Sequence, residues 1–244
     1  MLDNLNVSLV LPTYREKNSI RNVVLEFMKL TDIKEIIIVD NNSEEGTLEQ
    51  LKDLKVKIVQ ESKQGYGHAI KAGIMNSTQD FICICEPDGT FVASDFLKLK
   101  QYISESDLVL GTRTNSIFIW AGANMGFFLK WGNWFVAKLT EILFNTTYLS
   151  DVGCTFRILR SSHARTLVTQ SSTSGSMFGF EMILNSYILK WRVTQIPVNY
   201  LPRVGKSSVT GSRVKTVKLG LQMMGLLFWK KLLMIFSRKN KING

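Results

Sequence analysis

Four short runs of this chain are apolar almost from end to end: 7–11 (VSLVL), 36–39 (IIIV), 81–85 (FICIC) and 107–110 (DLVL). Between them lie segments with helical spacing. Ile20, Val23, Val24, Phe27 and Leu30 recur at that period within 16–30, a short helix is expected over 48–54, Gly65-Tyr66-Gly67 opens a helix to about residue 76, and another covers 94–103. A further strand fits 56–59. Strands that are apolar on both faces and alternate with helices through short connections specify a mostly parallel sheet covered on both sides. The expected class is α/β. At 244 residues and 45% hydrophobic content the chain can bury one large core, and its aromatic content excludes disorder.

The second half reads differently. Residues 117–145 form an aromatic-rich helical stretch interrupted by Gly122, Gly126 and Gly132. Strands are expected at 156–159 and 193–200, with a helix at 181–189 between them and a last helix over 214–236. With no internal repeat or linker, the organisation is one domain, 1–213, followed by a basic segment, 214–244.

Charge is divided unevenly. Residues 182–244 contain twelve of the thirty Lys/Arg and none of the twenty Asp/Glu, whereas 1–181 is close to neutral. Such a block calls for an anionic partner: nucleic acid, a phosphorylated substrate or acidic lipid. Cys83 and Cys85 alternate within one strand and Cys154 stands apart, so buried thiols are expected rather than a disulfide framework. The run 7–11 is too short for the apolar core of a signal peptide. His68 and His163 are isolated and lack metal-ligand spacing.

In parallel α/β sheets ligands bind beyond the carboxyl ends of the strands. Here those ends carry Pro12-Thr13-Tyr14-Arg15-Glu16, Asp40, 61–63, Glu86-Pro87-Asp88 and Arg113. One carboxylate after a strand is a turn or cap residue; several on one rim point to a nucleotide and a metal. Glu86 and Asp88 are two apart, so both side chains can point the same way. Two hard oxygen donors suit Mg²⁺ or Mn²⁺ shared with a diphosphate, although Pro-Asp-Gly is also a strong turn tripeptide. Lys63 and Gly65 precede a helix whose amides can face an anion, and close packing of loop on helix explains the glycines equally well.

Taken in order, VSLVLPTYREKNSI, IIIVDNNS, KQGYGHAIKAG, EPDGTF, LVLGTR, SDVGCTFRI and IPVNYLPRVGKSS resemble the family-2 glycosyltransferases of GT-A fold over about residues 7–210. The resemblance is to the dolichol-phosphate mannose synthase and polyprenyl-phosphate glycosyltransferase branch. It implies inverting transfer of a sugar from a nucleotide diphosphate sugar with a divalent cation. By the same resemblance Pro12, Tyr14, Glu16 and Asp40 cradle base and ribose, with Lys63 and Gly65 at the donor. Glu86 and Asp88 hold the metal, with Asp88 catalytic. Arg113 meets phosphate. Asp151 and Arg157 lie near the acceptor, and Arg203 and Lys206 close on phosphates, so that Arg157, Arg203 and Lys206 are expected to hold an acceptor phosphate. Two departures stand out: Glu86 replaces the usual Asp, and Gly-Lys-Ser replaces Ser-Lys after Arg203.

A lipid phosphate is already an anionic nucleophile, since its second pKa is about 6; a hydroxyl acceptor needs a base, for which Asp151 is the first candidate. The stretch 217–236 is apolar but broken by Lys218, Gln222, Lys230 and Lys231. Charges near a bilayer centre each cost roughly 2.5–3.5 kcal/mol, so a helix lying in the interface fits better than a span. The expected partners are a nucleotide diphosphate sugar, a polyprenyl phosphate and an anionic membrane surface, with no nucleic acid, and the expected place is the cytoplasmic face of a membrane, peripherally bound. The alternatives are a glycosyltransferase with a soluble saccharide or protein hydroxyl acceptor, and a non-enzymatic lipid- or nucleic-acid-binding protein on the same scaffold.

Overall fold

The computed structural model describes residues 4–43, 46–123, 125–146, 148–205 and 213–242. The elements run β1 (Val7–Thr13), α1 (Ile20–Met28), β2 (Ile33–Asp40), a 3₁₀ turn (Leu48–Leu51), β3 (Lys57–Gln60), α2 (Tyr66–Asn76), β4 (Phe81–Ile84), α3 (Asp95–Tyr102) and β5 (Leu108–Thr112). There follow a second 3₁₀ turn (Ser116–Phe118), α4 (Phe127–Phe144), β6 (Arg157–Arg160), α5 (Ser161–Gln170), α6 (Phe178–Ile188), β7 (Val193–Pro197) and α7 (Arg213–Ile242).

The strands form one sheet in the order β3-β2-β1-β4-β6-β5-β7. Pairing is parallel except around β6, which runs antiparallel to both β4 and β5. Alternation along each strand sends side chains to both faces. Leu9, Leu11, Ile36 and Ile38 pack with α1 and α3 through Val24, Phe27, Phe96 and Leu99. Val10, Ile37 and Val39 pack on the other face with Ile70 and Ile74 of α2 and with α5 and α6. Strands buried on both sides have no room for polar residues, which is why their sequences read as continuous apolar runs. Cys83 and Cys85 are buried together on one face as free thiols, and Cys154 is free as well.

Three differences from the sequence expectation concern the second half. The helical stretch at 117–145 splits into a 3₁₀ turn and α4, with the break before Gly126. Helix α5, rich in Ser and Thr, is polar on average, with Ala164 and Leu167 as its buried residues, and is absent from the sequence reading. Helix α7 is no free appendage: Met223, Leu227 and Lys230 are buried along one stripe of it, against α4 and α6. The Lys230 ammonium lies 2.6 Å from Glu181 and 2.9 Å from the Asn185 side-chain oxygen. Expected at lipid headgroups, Lys230 instead pins α7 to α6, because Glu181 is fully buried and needs a counter-charge.

Candidate functional site

The carboxyl ends of β2, β1 and β4 are neighbours, and Thr13 of β1 is in register with Asp40 of β2. Strands spaced about 4.8 Å apart put Asp40 roughly 10 Å along the rim from the residues that follow β4. The loops after β1 and β2 are laced together. Asp40 Oδ1 accepts from the Ser43 amide at 3.0 Å, and Ser43 Oγ accepts from the Arg15 amide at 3.1 Å. The Arg15 guanidinium lies over the Tyr14 ring, 5.0 Å from its centroid. Pro12 is buried near the end of β1, Tyr14 is half-buried just after it, and Asp40 is buried at the end of β2.

Asn41, which the sequence did not single out, organises the next loop. Its side-chain amide donates to the carbonyls of Glu61 and Lys63 at 2.8 and 2.9 Å, and its oxygen accepts from the Gly65 amide at 2.8 Å. Lys63 itself is exposed. Gly65 has φ 147, where side-chain-bearing residues are strained, and a Cβ there would meet the Ser174 carbonyl at 2.9 Å. A Cβ on Gly67 would meet Phe178 at 2.6 Å. These glycines therefore admit the 174–178 segment against the start of α2; of the two readings open in the sequence, the packing one has the direct structural cause.

Beyond β4, Asp88 is 1% exposed, and its Oδ1 accepts from the Thr90 amide and hydroxyl at 2.9 and 2.6 Å. Its Oδ2 receives Arg203 Nη1 at 2.6 Å, and the same guanidinium bonds Glu16 and approaches Glu86 to 3.9 Å. The segment 201–204 is strapped over this turn by two main-chain bonds, Leu201 N to Thr90 O at 2.8 Å and Val204 N to Asp88 O at 3.0 Å. Burial and the neighbouring Asp88 carboxylate push Glu86 up to about 8. Arg203 thus lies on the expected metal pair and on Glu16, where the sequence reading had it on an acceptor phosphate. Lys206 lies outside the described residues.

Two further expectations change. Arg113 is engaged by Asp151: its Nε and Nη2 donate to the two carboxylate oxygens at 2.8 and 3.1 Å, and its amide donates at 3.0 Å. Asp151 also accepts from the Gly153 amide at 2.9 Å. Burial opposes its ionisation, but Arg113 and these amides outweigh burial and hold it below the usual carboxylate range. A carboxylate so saturated is a poor base, and its partner guanidinium is committed. Gln195, also missed in the sequence, fixes this segment by accepting from the Ser150 amide at 2.7 Å and donating to the Asp151 carbonyl at 2.5 Å. Arg157 is 1% exposed and donates to the carbonyls of Cys154 at 2.6 Å and Gly179 at 2.8 Å. It staples β6 to the start of α6 and is not presented to an acceptor phosphate.

The fit to a divalent cation follows from the donor chemistry. Glu86 and Asp88 offer hard oxygen donors side by side, and a guanidinium from a distant loop already balances them. Among the described residues no cluster of three or more acidic, His or Cys side chains holds a cation alone. The arrangement suits a cation whose shell is completed by diphosphate oxygens.

Residues 8–167 match the model of glycosyl transferase family 2. An uncharacterized glycosyltransferase of Mycobacterium tuberculosis and its counterpart in Mycobacterium bovis are each 27% identical over 215 residues, covering 84% of this chain and 90% of theirs. Among solved structures, glucosyl-3-phosphoglycerate synthase from Mycobacterium tuberculosis has the same fold. Its complex with Mn²⁺, UDP and phosphoglyceric acid superposes with TM-score 0.69 at 13% identity, covering 93% of this chain and 78% of that one. Its complex with Mg²⁺ and UDP gives 0.70 at 12% identity, covering 93% and 79%. The strand order, the acidic rim and the family match converge on one assignment: this chain belongs to glycosyl transferase family 2 and is a nucleotide-sugar-dependent glycosyltransferase with a GT-A fold.

Proposed function

We infer that the chain transfers a sugar from a nucleotide diphosphate sugar to a polyprenyl phosphate at the cytoplasmic surface of a membrane, where it binds peripherally. The observation that carries this reading is the outer face of α7. Leu221, Phe228, Trp229, Leu232, Leu233 and Phe236 are all exposed there, while Lys230 on the inner stripe is buried. The segment Val217–Phe236 is long and apolar enough to cross a membrane, with mean hydropathy 1.4. Seated on the domain through Lys230, it presents an apolar stripe of the kind that lies in a lipid interface. The state of Asp151 supports a phosphate acceptor: a lipid phosphate needs no general base, and the first candidate base is committed to Arg113.

Asp40 and Tyr14 would hold ribose and base, and Glu86 and Asp88 would hold Mg²⁺ or Mn²⁺. When bound, the cation supplies charge neutralisation for the departing diphosphate. The chain's own contribution is positional. It brings two anionic molecules together, in line at the anomeric carbon, against their repulsion. Arg203 bonds Asp88 and Glu16 and approaches Glu86, which supports a role on the donor side, where it would meet the diphosphate. Arg203→Ala is expected to raise the KM for nucleotide sugar about tenfold, a change of about 1.4 kcal/mol, and to leave the acceptor KM unchanged. A larger effect on the acceptor would return Arg203 to the acceptor side.

A second reading has its own support. The structural neighbour named above was solved with phosphoglyceric acid, a soluble phosphorylated molecule, so a soluble acceptor suits this fold too. The deciding experiment incubates the full chain with a panel of labelled nucleotide sugars, polyprenyl phosphate in anionic vesicles, and 3-phosphoglycerate, with and without EDTA. EDTA-sensitive label in the organic phase is the expected result. Label confined to the water-soluble acceptor would replace the lipid reading with the soluble one.

A further inference from the structure

Between α4 and the ends of β5 and β7 lies a groove of about 560 Å³, separate from the carboxylates of the donor site. One wall is a face of α4 carrying Trp131 and Trp134, whose rings meet edge to face at 5.5 Å. Tyr148 also lines the groove. It is 88% exposed and has φ 63, in the left-handed region. A non-glycine residue is strained there, and the ring stays open to solvent beside the groove.

Several polar atoms of the lining are already engaged with one another. Thr112 and Ser150 hydroxyls lie 2.8 Å apart, and Gln195 is occupied by the 150–151 main chain. Lys138 is engaged by Glu141 at 3.0 Å, which leaves the Lys130 ammonium to meet a charge. A saccharide, with many hydroxyls to satisfy, finds few partners here. An amphiphile with one anionic head and an apolar chain matches what is offered: ring faces, one cation, and beyond them the exposed Phe135 and Ile142 of the same helix. Thr112 and Ser150 are the sequence neighbours of the Arg113–Asp151 pair, so a head group in the groove lies at the border of the donor site.

We propose that this groove seats the acceptor as a prenyl-chain phosphate, with the chain over Trp131 and Trp134 and the phosphate at Lys130. The proposal rests on the lipid-acceptor reading and adds where the lipid lies. The test is calorimetric titration of the full chain with farnesyl phosphate, with farnesol, inorganic phosphate and 3-phosphoglycerate as separate arms, and with UDP plus Mn²⁺ as a control for the donor site. Farnesyl phosphate is expected to bind. The Trp131→Ala/Trp134→Ala variant is expected to weaken it at least tenfold and Lys130→Glu by a similar factor, with UDP affinity unchanged. All three side chains are partly or largely exposed, so their loss leaves the core intact. Tyr148→Gly serves as a second variant: it relieves the backbone strain, so it is expected to keep or raise the melting temperature while lowering farnesyl phosphate affinity. Unaltered binding in these variants, alongside transfer to polyprenyl phosphate by the wild type, would overturn the groove and leave the lipid reading standing. Inorganic phosphate binding as tightly as farnesyl phosphate would show that no chain is recognised and overturn the proposal. Failure of farnesyl phosphate to bind while 3-phosphoglycerate does would remove both.

Discussion

Asp88→Asn is expected to reduce sugar transfer by on the order of a hundred- to a thousandfold, with circular dichroism unchanged. The substitution keeps the shape of the side chain and the oxygen that accepts from Thr90. It removes the charge that faces Arg203 and would face a cation. Metal-assisted stabilisation of a leaving diphosphate contributes several kcal/mol, and each 1.36 kcal/mol is a factor of ten in rate. Binding of Mn²⁺ with UDP, followed by electron paramagnetic resonance, should weaken in parallel. Wild-type transfer by this variant would end the metal assignment at Glu86 and Asp88. Transfer that falls while Mn²⁺·UDP binding persists would instead place Asp88 on the sugar.

The second large effect is on stability. In Lys230→Met, Glu181 stays buried and loses its direct ion pair, keeping the hydrogen bonds from Ser172 and Thr173 and the more distant charge of Lys71. Breaking a buried pair from one side costs about 3–5 kcal/mol, which for a chain of this size lowers the melting temperature by on the order of 10 °C. The double variant Lys230→Met/Glu181→Leu should recover part of that loss, because no charge is then stranded. A Lys230→Met protein that melts with the wild type would show that α7 does not depend on this seat. The pair also sets an acid limit. Burial works against ionisation of Glu181, yet Lys230 and the Thr173 and Ser172 donors hold it at about 2, below its ordinary 4.5. A depressed carboxyl contributes stability above the ordinary value and loses it as pH falls through the folded one. The contribution from Glu181 is therefore full above about pH 4.5 and disappears towards pH 2.

The first half of the sheet was legible in the sequence because its grammar is local. Each parallel strand is buried on both faces and so reads as an unbroken apolar run, and its polar residues start where the strand ends. That placed Asp40, Glu86 and Asp88 on one rim before any coordinate. The second half depends on pairings that no short window contains. The four residues of β6 carry no mark of their direction. Arg113 and Asp151 are 38 positions apart and each looks like a free functional group until the fold brings them together. Lys230 interrupts an apolar helix and reads as solvent-facing; only its partner 49 residues earlier, Glu181, makes it a buried residue. Asn41 and Gln195 act through main-chain atoms of other loops, and nothing in their own neighbourhoods announces it.

The reversed strand at the middle of the sheet has an evolutionary corollary. The chain leaves the sheet after β5 and re-enters through β6, and the two ends of that excursion are clasped by Arg113 and Asp151. Between those ends α4 packs on α6 and α7 and enters the core through Val136 and Ala137, while β1 to β4 all precede the excursion in the chain. Such a layout makes the excursion an exchangeable cassette where the faces of α6 and α7 that it packs on are kept. Grafting the 114–150 stretch of one relative onto the sheet of another should carry over the choice of what receives the sugar and leave the choice of donor with the host.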